Sequence, residues 1–513
     1  MLGRALSDNG VMQSPLSAGA CPGLPSHPPP AASAPPPSPP STACRAPEVT
    51  SPPLPFSRDI LARLDKNGPR YTSYPTADRY HDGFGQAQYT QALKRRAQDA
   101  AATGPRPLSL YVHIPFCESL CYYCACNKVI TRHKERAARY LDALEREMAL
   151  HARLIGHAEP VSQLHFGGGT PTFLSDAELD RLMAALRSHF RLLPDAEVSI
   201  EVDPRTATAQ RLAHLARLGF NRLSLGVQDF DPAVQRAVHR VQSYDSVRDL
   251  VASARAAGFA SVNMDLIYGL PLQTLASFAR TLEQVCGLRP DRIALYGYAH
   301  LPQRFKPQRR ILPAELPDGE TRVGLLGLAI GRFLDAGYDY IGMDHFALHD
   351  DTLAQARRAG RLHRNFQGYS TQPDCDLIAL GVSAIGRVGA TYSQNAKGLD
   401  DYYAHIESGR FAVERGLELD ADDLLRRDVI MAIMCQGGLD FRAVEQAHGI
   451  AFEQYFATEL QGLRDLAAMD LVHLVPGGLR VTDMGWYFVR AVAMVFDRHL
   501  RERSTQAQYS RIV

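Results

Sequence analysis

The sequence predicts an α/β protein: six consecutive strand–helix units, then a mostly helical C-terminal part. Three observations carry this reading. From residue 108, short apolar stretches ending in polar, Gly or Pro residues recur six times: LSLYVHIPF, QLHFGGGTP, EVSIEVDP, RLSLGVQDF, SVNMDLIYGLP and RIALYGYAH. Amphipathic patterns fill the intervals, as where Ala137, Leu141, Leu144 and Met148 fall on one helical face. After about residue 316 the strand rhythm gives way to helical patterns, closed by the hairpin signal LVHLVPGGLRVTD.

Residues 1–56 hold 15 of the 33 prolines and only four charged residues. Such a segment buries too little surface to offset its ordering entropy, so a disordered Pro-rich head is expected. Residues 57–107 carry helix-like SRDILARLDKNG and then PRYTSYPTADRY. Over 108–315, strand–helix alternation implies parallel strands joined by right-handed crossovers. A barrel and an open doubly wound sheet both fit, and in both the chemistry gathers at the C-terminal strand ends. The residues there are Cys117, the run Gly167–Gly169, Glu201 with Asp203, Gln228 with Asp229, Asp265, and His300. Residues 316–415 read as an extension of this body, and 416–513 as a helical domain with a hairpin. Helices plus a hairpin suggest a winged-helix shape, but no helix is enriched in Lys or Arg as a nucleic-acid reader would be.

With 56 Lys and Arg against 55 Asp and Glu, no global field points to nucleic acid. No uncharged apolar run reaches the ~18 residues of a membrane span. No secretory signal is apparent, so a cytoplasmic location is expected, where disulfides are rare. Five cysteines, Cys21, Cys44, Cys286, Cys375 and Cys435, are scattered. The other four, Cys117, Cys121, Cys124 and Cys126, crowd into HIPFCESLCYYCACNK.

Structural zinc sites draw ligand pairs from separated knuckles, and here no second cluster follows. A redox disulfide needs only two thiols. Thiolates on one loop suit a [4Fe–4S] cluster, and C-x3-C-x2-C would supply three of them, leaving one iron open.

Cys117-x3-Cys121-x2-Cys124 after a strand resembles the signature of the radical S-adenosylmethionine superfamily. That resemblance implies a partial (β/α)6 barrel, with S-adenosylmethionine chelated at the open iron and cleaved to a 5′-deoxyadenosyl radical. YVHIPFC, SLCYYCACNK, HFGGGTPTFL, IEVDPR, GVQDF, NMDLIYGLP, GYAHLP and LGVSAIG resemble, more closely, the oxygen-independent coproporphyrinogen III oxidase family, over most of residues 60–513. The resemblance implies oxidative decarboxylation of two propionates of coproporphyrinogen III to vinyl groups, giving protoporphyrinogen IX. It also implies two bound S-adenosylmethionine molecules, an electron donor such as flavodoxin or ferredoxin, and a monomer.

By the same resemblance Cys117, Cys121 and Cys124 hold the cluster. Tyr111, Gly168, Glu201 and Ile385 contact the first S-adenosylmethionine. Tyr123, Gly169, Thr170, Gln228, Arg240, Asp265 and Ala299 contact the second. Tyr123 stands where phenylalanine is common, and keeps a ring. Cys126 completes C-x3-C-x2-C-x-C, which marks the true oxidase and is needed for activity; read alone it is a spare thiol. His113, on the cluster strand, either hydrogen-bonds near the cluster or is a core histidine.

A substrate with four propionates calls for arginine forks. Arg70 in GPRYTSYPT is one candidate, and Arg304, Lys306, Arg309 and Arg310 after the sixth strand are others. Residues 69–76 mix a cation, hydroxyls and rings and are expected to help close the substrate site. A haem chaperone of the same superfamily is the rival reading. Such relatives generally lack the Cys126 position and the PRYTSYPT segment.

Overall fold

The computed structural model describes residues 58–64, 67–157 and 159–501; the expected disordered head lies outside them. The six expected strands form as β1 (Leu108–Ile114), β2 (Pro160–Gly168), β3 (Arg191–Val202), β4 (Arg222–Gln228), β5 (Ser261–Tyr268) and β6 (Arg292–Gly297). They pair in sequential order and all in parallel. A doubly wound sheet would reverse direction at a switch point. This order has none across the six, which selects the barrel-type winding.

The local reasons are those of the pattern. In β1, Leu108, Leu110, Val112 and Ile114 are fully buried. The helix Asp176–His189 starts in a Ser175–Glu178 capping box, and Thr208 and Ser243 cap the helices that follow β3 and β4. Gly156, at φ +94°, terminates helix Arg136–Ile155 in a conformation that only glycine adopts cheaply.

The stretch after residue 316, expected to be mostly helical, adds six further strands to the same sheet. These are β7 (Tyr338–Gly342), β8 (His345–Leu348), β9 (Asp376–Leu380), β10 (Ile385–Val388), β11 (Thr391–Asn395) and β12 (Val413–Glu418). The full order is β12-β11-β10-β9-β1-β2-β3-β4-β5-β6-β8-β7. β9 runs parallel to β1, and β8 runs antiparallel to β6. These strands are short, and β11, TYSQN, is polar though buried at every position. Without apolar alternation it gave no strand signal.

The expected hairpin forms between Val472–Val475 and Gly478–Val481, and Gly438–Asp440 joins it as a third strand. No helix among the described residues is long and apolar enough to cross a membrane.

Candidate active site

The four clustered cysteines lie on a loop at the C-terminal end of β1. Its base is closed by parallel pairing of Phe116–Cys117 with Val129–Ile130. Lys128 Nζ caps the loop by donating to the carbonyls of Cys124 (3.2 Å) and Cys126 (3.3 Å). Cys117 and Cys121 are buried, Cys124 is half-buried and Cys126 is exposed.

The segment after β4 grips this loop from one side. Val238 O accepts from Tyr122 N (3.0 Å), His239 Nδ1 donates to Leu120 O (2.8 Å), and Arg240 Nη1 donates to Cys121 Sγ (3.4 Å). Arg240 is also ion-paired with Asp203 (3.2 Å), and Arg205 shares that carboxylate (2.6 Å) and reaches Cys121 Sγ (3.6 Å). Burial alone would raise the Asp203 carboxyl, but Arg205 and Arg240 outweigh it and hold it below the usual range. The strand–helix order therefore places two guanidiniums against one candidate thiolate ligand.

On the other side, β1, β2 and β3 interlock. Tyr111 Oη donates to His113 Nδ1 (3.0 Å), whose Nε2 donates to Asn127 O at the end of the cysteine loop (3.0 Å). Burial keeps the His113 ring below its usual pKa, so it is a neutral relay between β1 and the loop. Gly168, at φ +118°, passes so close that a Cβ there would stand 2.7 Å from the His113 ring. Its N–H donates to Glu201 Oε2 (3.1 Å), and Glu201 Oε1 lies 3.4 Å from His165 Nε2. A Cβ on Gly169 would collide with the carbonyls of Pro115 and Phe116 at 2.7 and 2.8 Å. Thr170 Oγ1 donates to Cys117 Sγ (3.3 Å). The glycine run is thus what lets the β2 loop lie against the cysteine loop.

The remaining candidates complete the ring. Gln228 ends β4 at φ +70°, a left-handed conformation uncommon for a non-glycine residue. Asp265 on β5 accepts from Asn263 (2.8 Å) and Ser224 (3.2 Å). Burial, then the nearby Glu201 charge, push its carboxyl up to about 6. Tyr123 O accepts from Gln308 Nε2 (3.1 Å), Ala299 lies exposed just after β6, and Ile385 opens β10.

The candidate propionate anchors fall in different surroundings. Arg304, Lys306, Arg309 and Arg310 are exposed, and Arg310 Nη1 donates to Tyr122 Oη (3.3 Å) on the cysteine loop. Arg70 is already ion-paired with Asp344, and its guanidinium lies 5.7 Å from the centre of the Tyr296 ring on β6. Residues 69–76 are more than a flap: Tyr71 and Tyr74 are fully buried, and Tyr71 Oη donates to Asp497 Oδ2 (2.9 Å).

The Radical SAM superfamily profile matches residues 111–285, and the HemN C-terminal domain profile matches 419–488. The chain is 48% identical over 460 residues to an oxygen-independent coproporphyrinogen III oxidase of Pseudomonas aeruginosa, covering 89% of this chain and 99% of that one. The Escherichia coli K12 enzyme of that name is 47% identical over 454 residues, covering 88% and 98%. The solved structure of coproporphyrinogen III oxidase (HemN) from Escherichia coli, described as a radical SAM enzyme, superposes with a TM-score of 0.82 at 47% identity, covering 87% of this chain and 99% of that one. The chain belongs to the oxygen-independent coproporphyrinogen III oxidase family.

Membership in this oxidase family implies an iron–sulfur cluster and S-adenosylmethionine, and the donor set fits them. Three thiols stand on one loop with Arg240, Arg205 and Lys128 around them, cations that offset the charge of a thiolate-bound cluster. The neighbouring Cys126 and Lys128 hold the Cys124 thiol low, and Cys124 with burial sends Cys126 up. Burial raises Cys117 to about 11, so it ionises on binding metal rather than before.

Sequence reading did not single out His165, Arg205, His239 or Asn127, which hold Glu201, Asp203 and the cysteine loop. All four lie within two residues of a singled-out residue, His165 of Gly167, Arg205 of Asp203, His239 of Arg240 and Asn127 of Cys126. His165 and Asn127 act through contacts across strands or to a backbone carbonyl, which one-dimensional spacing does not carry.

Proposed function

We infer that this chain catalyses the oxygen-independent oxidative decarboxylation of two propionates of coproporphyrinogen III, giving the divinyl protoporphyrinogen IX of haem synthesis. One observation carries the reading. The C-x3-C-x2-C-x-C loop stands at the centre of a ring of strand ends, in a chain 47–49% identical to these oxidases over nearly their whole length.

When bound, the cluster would supply the electron that splits S-adenosylmethionine into methionine and a 5′-deoxyadenosyl group able to take a hydrogen atom from a propionate β-carbon; the propionate would then lose carbon dioxide, and its one remaining electron would pass to an external acceptor. The protein's own residues do the positioning. Cys117, Cys121 and Cys124 hold the cluster. Tyr111, Gly168, Glu201 and Ile385 form one S-adenosylmethionine site, in which Glu201 is aimed by Gly168 N–H and His165. Tyr123, Gly169, Thr170, Gln228, Arg240, Asp265 and Ala299 form a second, adjoining one. His113 keeps the cysteine loop in register through Asn127, and the exposed Cys126 serves turnover rather than iron. Residues 69–76 carry Arg70 to the rim beside Tyr296 and close the substrate site. The enzyme works as a cytoplasmic monomer, reduced by a flavodoxin or ferredoxin.

The test is an anaerobic assay of reconstituted protein with coproporphyrinogen III, S-adenosylmethionine, a chemical reductant and an added electron acceptor. Two equivalents of carbon dioxide per protoporphyrinogen IX are expected. A cluster-replete protein that binds S-adenosylmethionine and leaves coproporphyrinogen III unchanged would refute the reading.

A further inference from the structure

A small hairpin outside the main sheet, His363–Asn365 against Gly368–Ser370, lines a cavity together with residues of the parallel strands. Its Arg364 is buried, with 6% of its surface exposed. Its guanidinium lies 4.6 Å from the centre of the Tyr369 ring, and Nε donates to Arg70 O (3.3 Å). Nη1 is buried with no hydrogen-bond partner among the described residues, and so is Nε2 of Gln367 on the same hairpin.

An unmatched buried donor on a charged group is costly, and such groups are normally paired. The neighbouring carboxylate of Asp344 is already committed to Arg70.

Beside the hairpin is a cavity of about 170 Å³, whose walls include Gln367, Tyr369, Tyr296, His345, Glu201 and Asp265. It is well under the roughly 300–1,000 Å³ that encloses a whole drug-sized ligand, so it suits a limb of a molecule rather than a macrocycle. Gln367 stands in the cavity wall and the Arg364 guanidinium packs against Tyr369, which lines it too; the unmatched groups of both are donors, which asks for an acceptor-only partner, an anion with two oxygens. Glu201 and Asp265, candidate S-adenosylmethionine residues, share the same cavity, so a limb seated here hangs from a ligand that spans toward the reacting centre.

We propose that Arg364, with Gln367 beside it, seats one propionate carboxylate of the tetrapyrrole. This rests on the function inferred above and adds a substrate anchor distinct from Arg70 and the Arg304–Arg310 group.

The test uses coproporphyrin III, the oxidised and unreactive macrocycle of the substrate, and its tetramethyl ester. Binding to the reconstituted protein is followed by fluorescence. Arg364→Met, which retains much of the stem, is expected to weaken coproporphyrin III about 10- to 100-fold, the range of a lost charge-assisted hydrogen bond. The wild type's preference for acid over ester should shrink by the same factor, with iron content and S-adenosylmethionine affinity unchanged. Gln367→Leu, a milder change, should weaken the acid by about 2- to 10-fold and also decides the case should Arg364→Met fold poorly. An unaltered affinity and acid-to-ester ratio in a folded variant overturns the assignment of this hairpin. A wild-type protein that neither binds coproporphyrin III nor decarboxylates the porphyrinogen overturns the parent reading as well, so the two failures are distinguishable.

Discussion

Arg240 donates to Cys121 Sγ at 3.4 Å while pairing with Asp203 at 3.2 Å, so one guanidinium ties the strand-end acid layer to the cysteine loop. The fork also reaches Gly226 O through Nε (3.1 Å). Lysine, a point charge, cannot make all three contacts. Arg240→Lys is therefore expected to keep the iron and shift the cluster's reduction potential. Arg240→Ala should cost up to about 3 kcal/mol, the low end for breaking a buried pair, because Arg205 still serves Asp203. Potentiometry and urea midpoints check the pair; an unshifted potential in Arg240→Lys removes Arg240 from the cluster's surroundings.

The cysteines should separate into two classes. Cys117, Cys121 and Cys124 changed singly to Ser are expected to lose the cluster. Cys126→Ser should keep the iron and lose turnover, in line with its exposed place at the end of the loop. Iron and sulfide analysis after reconstitution distinguishes them, and loss of all iron in Cys126→Ser contradicts the three-ligand assignment.

Glu147 gives a pH signature. It is buried and accepts from Gly381 N (2.8 Å), Asn395 Nδ2 (2.8 Å) and Tyr402 Oη (2.7 Å), joining helix Arg136–Ile155 to the turn between β9 and β10. Burial outweighs these donors and pushes its carboxyl up to about 7. The native state then binds more protons than the unfolded chain between the ordinary carboxyl pKa and 7. Stability from this group is complete below about pH 4.5 and is lost as pH rises through about 7, with roughly 3 kcal/mol in play. Urea midpoints of wild type and Glu147→Gln across this window are expected to differ in slope, the variant's being flatter; parallel slopes would exclude Glu147 as the source.

The six parallel strands and the cysteine loop were legible because apolar runs, helix caps and cysteine spacing are local signals. β7 to β12 were not. β11 is buried yet polar, and β10 and β8 are four residues each, stabilised by pairing with flanking strands rather than by their own pattern. In the same way Arg70 was visible as a cation, but its partner Asp344 lies 274 residues away. Arg364 had no sequence signal at all, because what marks it is burial.

The Pro-rich head is expected to be dispensable. The relatives are matched almost end to end while about a tenth of this chain lies outside the match. A chain beginning near Pro55 should retain the full-length protein's melting temperature and turnover number. A large fall in either shows that the head contributes to the body.

The most direct test follows hydrogen. With coproporphyrinogen III deuterated at the propionate β-carbons, S-adenosylmethionine and a reductant under anaerobic conditions, mass spectrometry of the 5′-deoxyadenosine formed reports where its new hydrogen came from. The account predicts one deuterium in each 5′-deoxyadenosine and two such molecules for each divinyl product. Vinyl formation with 5′-deoxyadenosine free of deuterium would contradict radical abstraction at the β-carbon, whatever the cluster and the arginines bind.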